Sequence, residues 1–176
     1  MTEVQDDVWN LSFDVGKSKR YHAYRRSFWQ GWDYWTKVSS IVTGASVVIS
    51  VAGEKSVLAA VFAVLVALSS AADVVLGFGS RAKLHDELYR RWADLDIAIE
   101  SLQAPTTEQV SALRRVRLEI ERDEPTVLDL LERRCSAEEC LGRGCEVRES
   151  WKLSRWEFRI SQFAFWTAVP PKALRA

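Results

Sequence analysis

The sequence predicts an all-α fold in which a two-helix transmembrane hairpin links an N-terminal amphipathic helix to a C-terminal cytosolic helical region. Aliphatic residues are concentrated in one block of the 176-residue chain, between Val38 and Phe78. Charged segments with helical spacing of apolar residues follow that block, and no segment has the alternation of a half-buried strand. We therefore expect an N-terminal helix at the membrane interface over residues 1–35, a hairpin over 36–79 and a cytosolic domain over 80–176.

The hairpin is predicted from two apolar segments, residues 36–53 and 56–78. The first is charged only at Lys37 and the second only at Asp73. At about 1.5 Å per residue, each can cross a hydrocarbon core of about 30 Å. A buried helical hairpin in a soluble bundle is the alternative, but a chain this small could hardly surround two such helices on all sides.

Basic residues on both flanks of the hairpin predict that both termini face the cytoplasm. Aromatic and basic side chains next to the spans are expected to anchor the hairpin in the interface and to contact membrane lipids. These predicted anchors are Arg25, Arg26, Trp29, Trp32, Trp35, Arg81 and Lys83. The segment "YHAYRRSFWQGWDYW" could also be a nucleic-acid surface, but its position before a span favours the membrane. The balanced net charge gives no further reason to expect nucleic acid.

After Phe78 the apolar residues follow a heptad-like spacing, typical of a helix that continues the second span and oligomerises. The predicted oligomerisation stripe consists of Leu84, Leu88, Trp92, Leu95, Ile99 and Leu102. A second helix is expected to be capped by Thr106 or Thr107 and to stop before Pro125. A third should end at Gly142 and Gly144. The aromatic C-terminal segment either lies on the inner leaflet or packs against these helices.

The sequence predicts no catalytic or metal-binding site and no cofactor. His22 and His85 have no metal-ligand spacing, and a phosphate-binding glycine loop is missing. The cysteines, Cys135, Cys140 and Cys145, recur every five residues, which would place them on different faces of a helix. The polar N-terminus predicts no secretory signal. We therefore expect the cysteines to be reduced thiols facing the cytosol.

Polar and small residues form two stripes within the spans. Ser39, Thr43, Ser46 and Ser50 place four hydroxyls on one side of the first helix, where they line a pore or bond to a neighbouring helix. Ala59, Ala63, Ala67 and Ala71 recur every four residues in the second helix, which allows another helix to approach closely. A pore would require an oligomer, since one hairpin cannot enclose a channel.

Asp73 is the one carboxylate in the second span. An ionised aspartate at the bilayer centre costs about 2.5–3.5 kcal/mol, and less towards the edge. It could pair with Arg81 or Lys83, or accept a bond from a hydroxyl of the first span. Alternatively, it could form a carboxylate ring at the cytosolic mouth of a cation channel.

The order of these parts resembles the SLATT family, the SMODS- and SLOG-associating two-transmembrane effectors of bacteria. The most specific part of the resemblance is "DVVLGFGSRAKLHDELYRR", with an acid in the second span followed by Gly77, Phe78, Arg81 and His85. A weaker part is "EPTVLDLL" before an amphipathic helix. The family commonly has an asparagine in that later helix, where this chain has "CSAEEC", so no role is transferred there.

The resemblance implies a homo-oligomeric effector in the bacterial inner membrane that permeabilises or depolarises it during nucleotide-signalled antiphage defence. It also implies a partner encoded nearby that makes or senses the nucleotide signal. The alternatives are a non-conducting anchor that recruits a cytosolic partner, and a soluble helical bundle.

Overall fold

A computed structural model describes residues 3–52, 56–163 and 168–169, and most of them are helical. The elements in chain order are α1 (Glu3–Ala52), α2 (Ser56–Leu76), α3 (Phe78–Glu100), α4 (Thr107–Asp123), β1 (Val127–Leu128), α5 (Asp129–Gly142), a 3₁₀ turn (Glu149–Trp151), α6 (Arg155–Ile160) and β2 (Ala168–Val169). The predicted all-α class is confirmed. The one addition is a two-residue antiparallel pairing of β1 with β2, which is too short to leave an alternating pattern.

Helix α1 continues without a break through the predicted boundary between residues 35 and 36. It is 50 residues long and has Glu3 and Asp6 in its first turn, where carboxylates complement the helix dipole. The chain has no proline before Pro105, so none interrupts α1. The N-terminal helix and the first predicted span are therefore parts of one helix.

Gly77 separates α2 from α3, where the sequence predicts a continuous helix. Its φ of 58° lies in the left-handed region, which glycine adopts without steric cost. Backbone bonds continue across the break, from the Gly77 N–H to the Asp73 carbonyl (2.8 Å) and from the Arg81 N–H to the Gly77 carbonyl (3.0 Å). The prediction of one uninterrupted helix is wrong at this single residue.

The chain forms two compact units, one of Met1–Arg25 with His85–Ala176 and one of Arg26–Leu84. We call them the helical unit and the apolar unit. The core of the helical unit is a cluster contributed by α1, α3 and α4. Its buried members are Leu11, Val15, Leu88, Trp92, Leu95, Ile99 and Ile120.

A second cluster in the helical unit contains Tyr21, Leu128, Leu131 and Cys135. The Tyr21 hydroxyl accepts a hydrogen bond from the Leu128 N–H (3.1 Å), which satisfies a backbone donor beside β1. Burial raises the pKa of Tyr21 to about 12, so its phenol is neutral at physiological pH.

Helix ends in the helical unit follow local sequence signals. Thr106 caps α4 in a reciprocal capping box, in which the Gln109 N–H donates to Thr106 Oγ1 and the Thr106 N–H donates to Gln109 Oε1. The helix ends at Asp123, before Pro125. Ser154 and Glu157 form the same box at α6. The cap at Thr106 and both predicted ends, before Pro125 and at Gly142, are confirmed.

Candidate functional site

Within the described residues, one helical stretch, Val57–Glu100, is long and apolar enough to cross a membrane. Only 6% of its most apolar window is buried. The 21 residues of α2 extend about 32 Å, close to the thickness of a hydrocarbon core. The first predicted span, 36–53, is not identified in this way, and the two-helix hairpin stays a prediction. The last residue of that span, with the connector to α2, lies outside the described residues.

The alanine stripe of α2 is mostly exposed. Ala59 is buried, but Ala63, Ala67 and Ala71 are exposed. The half-buried positions of α2 are instead Phe62, Val66, Ser69, Ala72 and Asp73. Three of the four predicted packing positions are thus on the open side of the helix.

The predicted hydroxyl stripe bonds to the backbone of its own helix. Ser39 Oγ donates to the Thr36 carbonyl (3.0 Å), Thr43 Oγ1 donates to the Ser39 carbonyl, and Ser46 Oγ donates to the Val42 carbonyl (2.9 Å). Such back-bonding satisfies a serine or threonine hydroxyl without another helix. The side chain of Ser50 lies outside the described residues.

Asp73 is half-buried in the apolar unit. Its predicted partner Arg81 lies over the Trp29 ring, 5.0 Å from the ring centroid. Lys37 forms an ion pair with Asp33 (2.7 Å) and is within electrostatic range of Asp73. An opposite charge within range of Asp73 therefore comes from Lys37, at the start of the first predicted span.

The predicted interfacial anchors divide into exposed and buried residues. Trp32, Trp35, Arg81 and Lys83 are exposed, as an interfacial belt requires, and Arg26 is half-buried. Trp29 is not an anchor, because it is buried in a cluster with Phe78 and Ala82.

Arg25 is also not a lipid anchor. It is 5% exposed, and its guanidinium donates to the Gln162 carbonyl oxygen (3.0 Å) within the helical unit. The prediction failed because flanking position alone does not distinguish a basic residue at the interface from one held by the protein.

The predicted oligomerisation stripe lies mainly inside the helical unit. Leu88, Trp92, Leu95 and Ile99 are between 0% and 5% exposed and form much of its core. Leu84 is exposed and Leu102 is half-buried. The heptad-like stripe therefore packs against α1 and α4 of the same chain. The predicted role in oligomerisation is wrong for its four buried residues.

A buried polar network lies beside that core, and no local sequence pattern predicts it. The Nδ1 atoms of His22 and His85 are 2.9 Å apart, and His22 Nε2 is 2.8 Å from Glu124 Oε1. Trp92 Nε1 donates to the same oxygen (2.8 Å). Because the carboxylate only accepts, His22 carries a hydrogen on Nε2. When His22 is neutral, His85 Nδ1 is the donor between the two rings.

Glu139 is held by two arginines next to Gly16. Arg20 Nε donates to Glu139 Oε2 (2.6 Å) and Arg143 Nε donates to Oε1 (2.7 Å). Burial alone would raise the pKa of Glu139, but the hydrogen bonds from Arg20 and Arg143 outweigh it and hold the pKa below its usual range. A Cβ atom on Gly16 would lie 2.3 Å from Glu139 Oε1. Glycine at this position therefore leaves room for the carboxylate.

We expect Gly16→Ala to lower the free energy of unfolding by about 1–3 kcal/mol, because it pushes Glu139 away from both arginines. In a Glu139→Ala background, the same change should raise that free energy by about 0.5–1 kcal/mol, since alanine favours a helix over glycine. Urea unfolding of the wild type and the three variants in detergent measures both effects. The same sign in both backgrounds would contradict the role assigned to Glu139.

The C-terminus of α5 explains why the expectation of three reduced cysteines is wrong. The Gly144 N–H donates to the Leu141 carbonyl (3.1 Å) and the Cys145 N–H to the Cys140 carbonyl (3.0 Å), and Gly144 has a φ of 71°. This is a Schellman motif, which brings the side chains of its first and last residues together. Those residues are Cys140 and Cys145, and they form a disulfide. Cys135 is a buried free thiol.

Both bonded cysteines line a cleft of about 540 Å³ in the helical unit. Aromatic rings stack along it, with Phe13 5.4 Å from Trp9 and 5.6 Å from Trp151 between ring centroids. No group of three or more metal-ligating side chains occurs among the residues that the structure describes.

No protein-family model, curated protein or solved structure matches the chain.

Proposed function

We propose that the protein is an integral protein of the bacterial inner membrane, inserted as a two-helix hairpin with both termini in the cytoplasm. The observation that carries this proposal is the exposure of α2, whose apolar window is only 6% buried. Val57, Leu68, Val74 and Val75 are between 62% and 84% exposed. Leaving such a side chain in water costs about 1.5–3 kcal/mol relative to burying it. Lipid removes this cost, whereas a soluble helical bundle retains it.

The back-bonded hydroxyls support insertion of the first span as well. A hydroxyl that donates to its own helix needs no water or partner helix, as a membrane-spanning segment requires. Ser39, Thr43 and Ser46 all donate in this way. The exposed Trp32, Trp35, Arg81 and Lys83 fit the aromatic belt and positive-inside pattern at the cytoplasmic interface.

We further propose that the chain assembles through the exposed alanine stripe of α2 and permeabilises the membrane. Small side chains allow helices to approach closely in lipid, where van der Waals packing drives association. The resemblance to the SLATT effectors supplies the biological role, which is depolarisation of the host membrane in antiphage defence. A nucleotide-signal synthase or sensor encoded nearby would provide the trigger.

A non-conducting membrane anchor is the second candidate, favoured by two observations. The hydroxyls that could line a pore bond to their own helix. Four residues of the predicted oligomerisation stripe, which could assemble the chain outside the membrane, are buried in the core of the helical unit. In this case the helical unit would recruit a cytosolic partner to the inner leaflet.

Two measurements separate these functions. Membrane fractionation with an alkaline wash should leave the full chain in the pellet, whereas a soluble bundle would be released. A potential-sensitive dye should report depolarisation after induced expression if the protein conducts. A steady potential with the chain confirmed in the membrane, in a host that also expresses its neighbouring genes, would favour the anchor.

Asp73→Asn tests the polar end of the second span. If Asp73 lines the cytosolic mouth of a channel, removing its charge should lower the cation-to-anion permeability ratio several-fold, because a carboxylate ring concentrates cations. Reversal potentials in planar bilayers measure the ratio. Glu87→Gln, an exposed acid on α3 outside the spans, is the matched control. An unchanged reversal potential in Asp73→Asn would contradict the proposed position at the mouth.

A further inference from the structure

The disulfide at the end of α5 joins a buried cysteine, Cys140, to a more exposed one, Cys145. Cys140 is 1% exposed, whereas Cys145 is half-buried and so the more accessible of the two residues. Both residues line the 540 Å³ cleft of the helical unit. A reagent that enters this cleft therefore meets the Cys145 sulfur first.

The cleft has the size and chemistry to hold a small peptide. Its volume falls within the usual range for small-molecule sites, about 300–1,000 Å³. Its lining combines the aromatic surfaces of Trp9 and Trp151 with both signs of charge, including Arg148, Asp129 and Glu146. A peptide thiol such as glutathione carries an ammonium group and carboxylates, so both signs of charge have a counterpart.

We propose that the Cys140–Cys145 pair is a reversible thiol–disulfide exchange site whose co-substrate is a small peptide thiol. The inference extends the proposed function, because its role in the cell depends on the helical unit facing the cytoplasm. Disulfides in a reducing cytosol are typically transient, catalytic or redox-sensing rather than permanent.

The exchange balances in two steps. The thiolate of one peptide thiol attacks Cys145 Sγ, the bond to Cys140 Sγ breaks, and Cys140 Sγ takes the electron pair and a proton. A second peptide thiolate attacks the peptide sulfur of this mixed disulfide and releases Cys145, which is then protonated. Two peptide thiols are oxidised to their disulfide while the protein disulfide is reduced to two thiols.

The surrounding structure allows the exchange to occur without unfolding. The two backbone bonds of the Schellman motif do not depend on the sulfur–sulfur bond. Arg133 separately holds the following segment, donating to the carbonyls of Ser150 (2.7 Å) and Lys152 (3.0 Å). In the disulfide form, Cys140 Sγ lies 3.3 Å from the Glu146 carbonyl oxygen, which can accept the hydrogen of the thiol once it is released.

A matched pair of single-cysteine changes tests the site on the full chain in detergent. In Cys140→Ser, the accessible Cys145 should form a mixed disulfide with added oxidised glutathione, at one glutathione per chain by intact mass. In Cys145→Ser, the buried Cys140 should react at least about tenfold more slowly, as expected for a thiol that is not accessible. Equal rates in the two variants, or no adduct in either, would overturn the proposal.

The wild-type chain provides a second measurement that needs no variant. After incubation with millimolar reduced glutathione, acid quenching and denaturation, alkylation should label three cysteines, and after incubation with oxidised glutathione it should label one. Circular dichroism should retain the helical spectrum in both. Labelling of one cysteine in both buffers would identify a permanent disulfide and overturn the proposal. Neither measurement depends on membrane conduction, so this inference and the proposed function can fail separately.

Discussion

Replacing both Ala63 and Ala67 with leucine is expected to prevent self-assembly in the membrane and to abolish depolarisation by the expressed chain. Both side chains are exposed on α2, so leucine adds bulk where a second helix would approach. We expect the apparent dissociation constant to rise by about tenfold or more, equivalent to about 1.4 kcal/mol. Crosslinking in native membranes measures assembly, and a potential-sensitive dye measures depolarisation in the same cells.

A matched control places similar bulk on another exposed side of α2. Val61 and Leu68 are 51% and 62% exposed and lie away from the alanine stripe at 100° per residue. The double change Val61→Phe with Leu68→Phe should leave both assembly and depolarisation intact. If the leucine variant still crosslinks like wild type, the alanine stripe is not the assembly surface, and its exposure reflects contact with lipid alone.

Replacing Glu124 with alanine should lower the free energy of unfolding by about 2–4 kcal/mol. The change removes the oxygen that accepts from both His22 Nε2 and Trp92 Nε1, each at 2.8 Å. Both donors belong to side chains that are 0–1% exposed, and a buried donor without an acceptor costs about 1–3 kcal/mol. Urea unfolding of the full chain in detergent, followed by circular dichroism, measures the loss.

Two further substitutions identify the cause of that loss. Glu119→Ala removes an exposed acid from α4, which ends just before Glu124, and should change stability by less than about 0.5 kcal/mol. Glu124→Gln retains an acceptor oxygen and should cost less than Glu124→Ala. Equal stabilities for the Glu119 and Glu124 alanine variants would show that the network contributes little to folding.

Features encoded by a few neighbouring residues could be predicted from the sequence. The Thr106 cap and the glycine-terminated end of α5 need only nearby residues, and both occur as predicted. The apolar composition of α2 likewise identified a helix fit for a membrane, because composition is a local property.

Features that depend on distant contacts could not be predicted in this way. The heptad-like stripe was read correctly as apolar, but its spacing does not reveal whether the surface it meets belongs to the same chain or to another. Leu88 and Trp92 share a buried cluster with Leu11 and Val15 of α1 and with Ile120 of α4. The pairing of His22 with His85 joins residues 63 positions apart, so no sequence window contains it.

The disulfide illustrates a different limit. The five-residue interval between Cys140 and Cys145 excludes a contact only if the helix continues through both. Gly142 and Gly144 predict that the helix ends before Cys145, so helical spacing of side chains does not apply to that residue. Because the helix ends at Gly142, the chain turns back after it and brings the sulfur of Cys145 to that of Cys140.

The close approach of Gly16 to Glu139 predicts a pattern of covariation among homologous sequences. Any side chain at position 16 would occupy the space of the Glu139 carboxylate, 2.3 Å from where its Cβ would lie. Lineages that lose the glycine should therefore also carry a shorter residue at position 139. The arginine at position 20, whose Nε donates to that acid, should then be free to diverge.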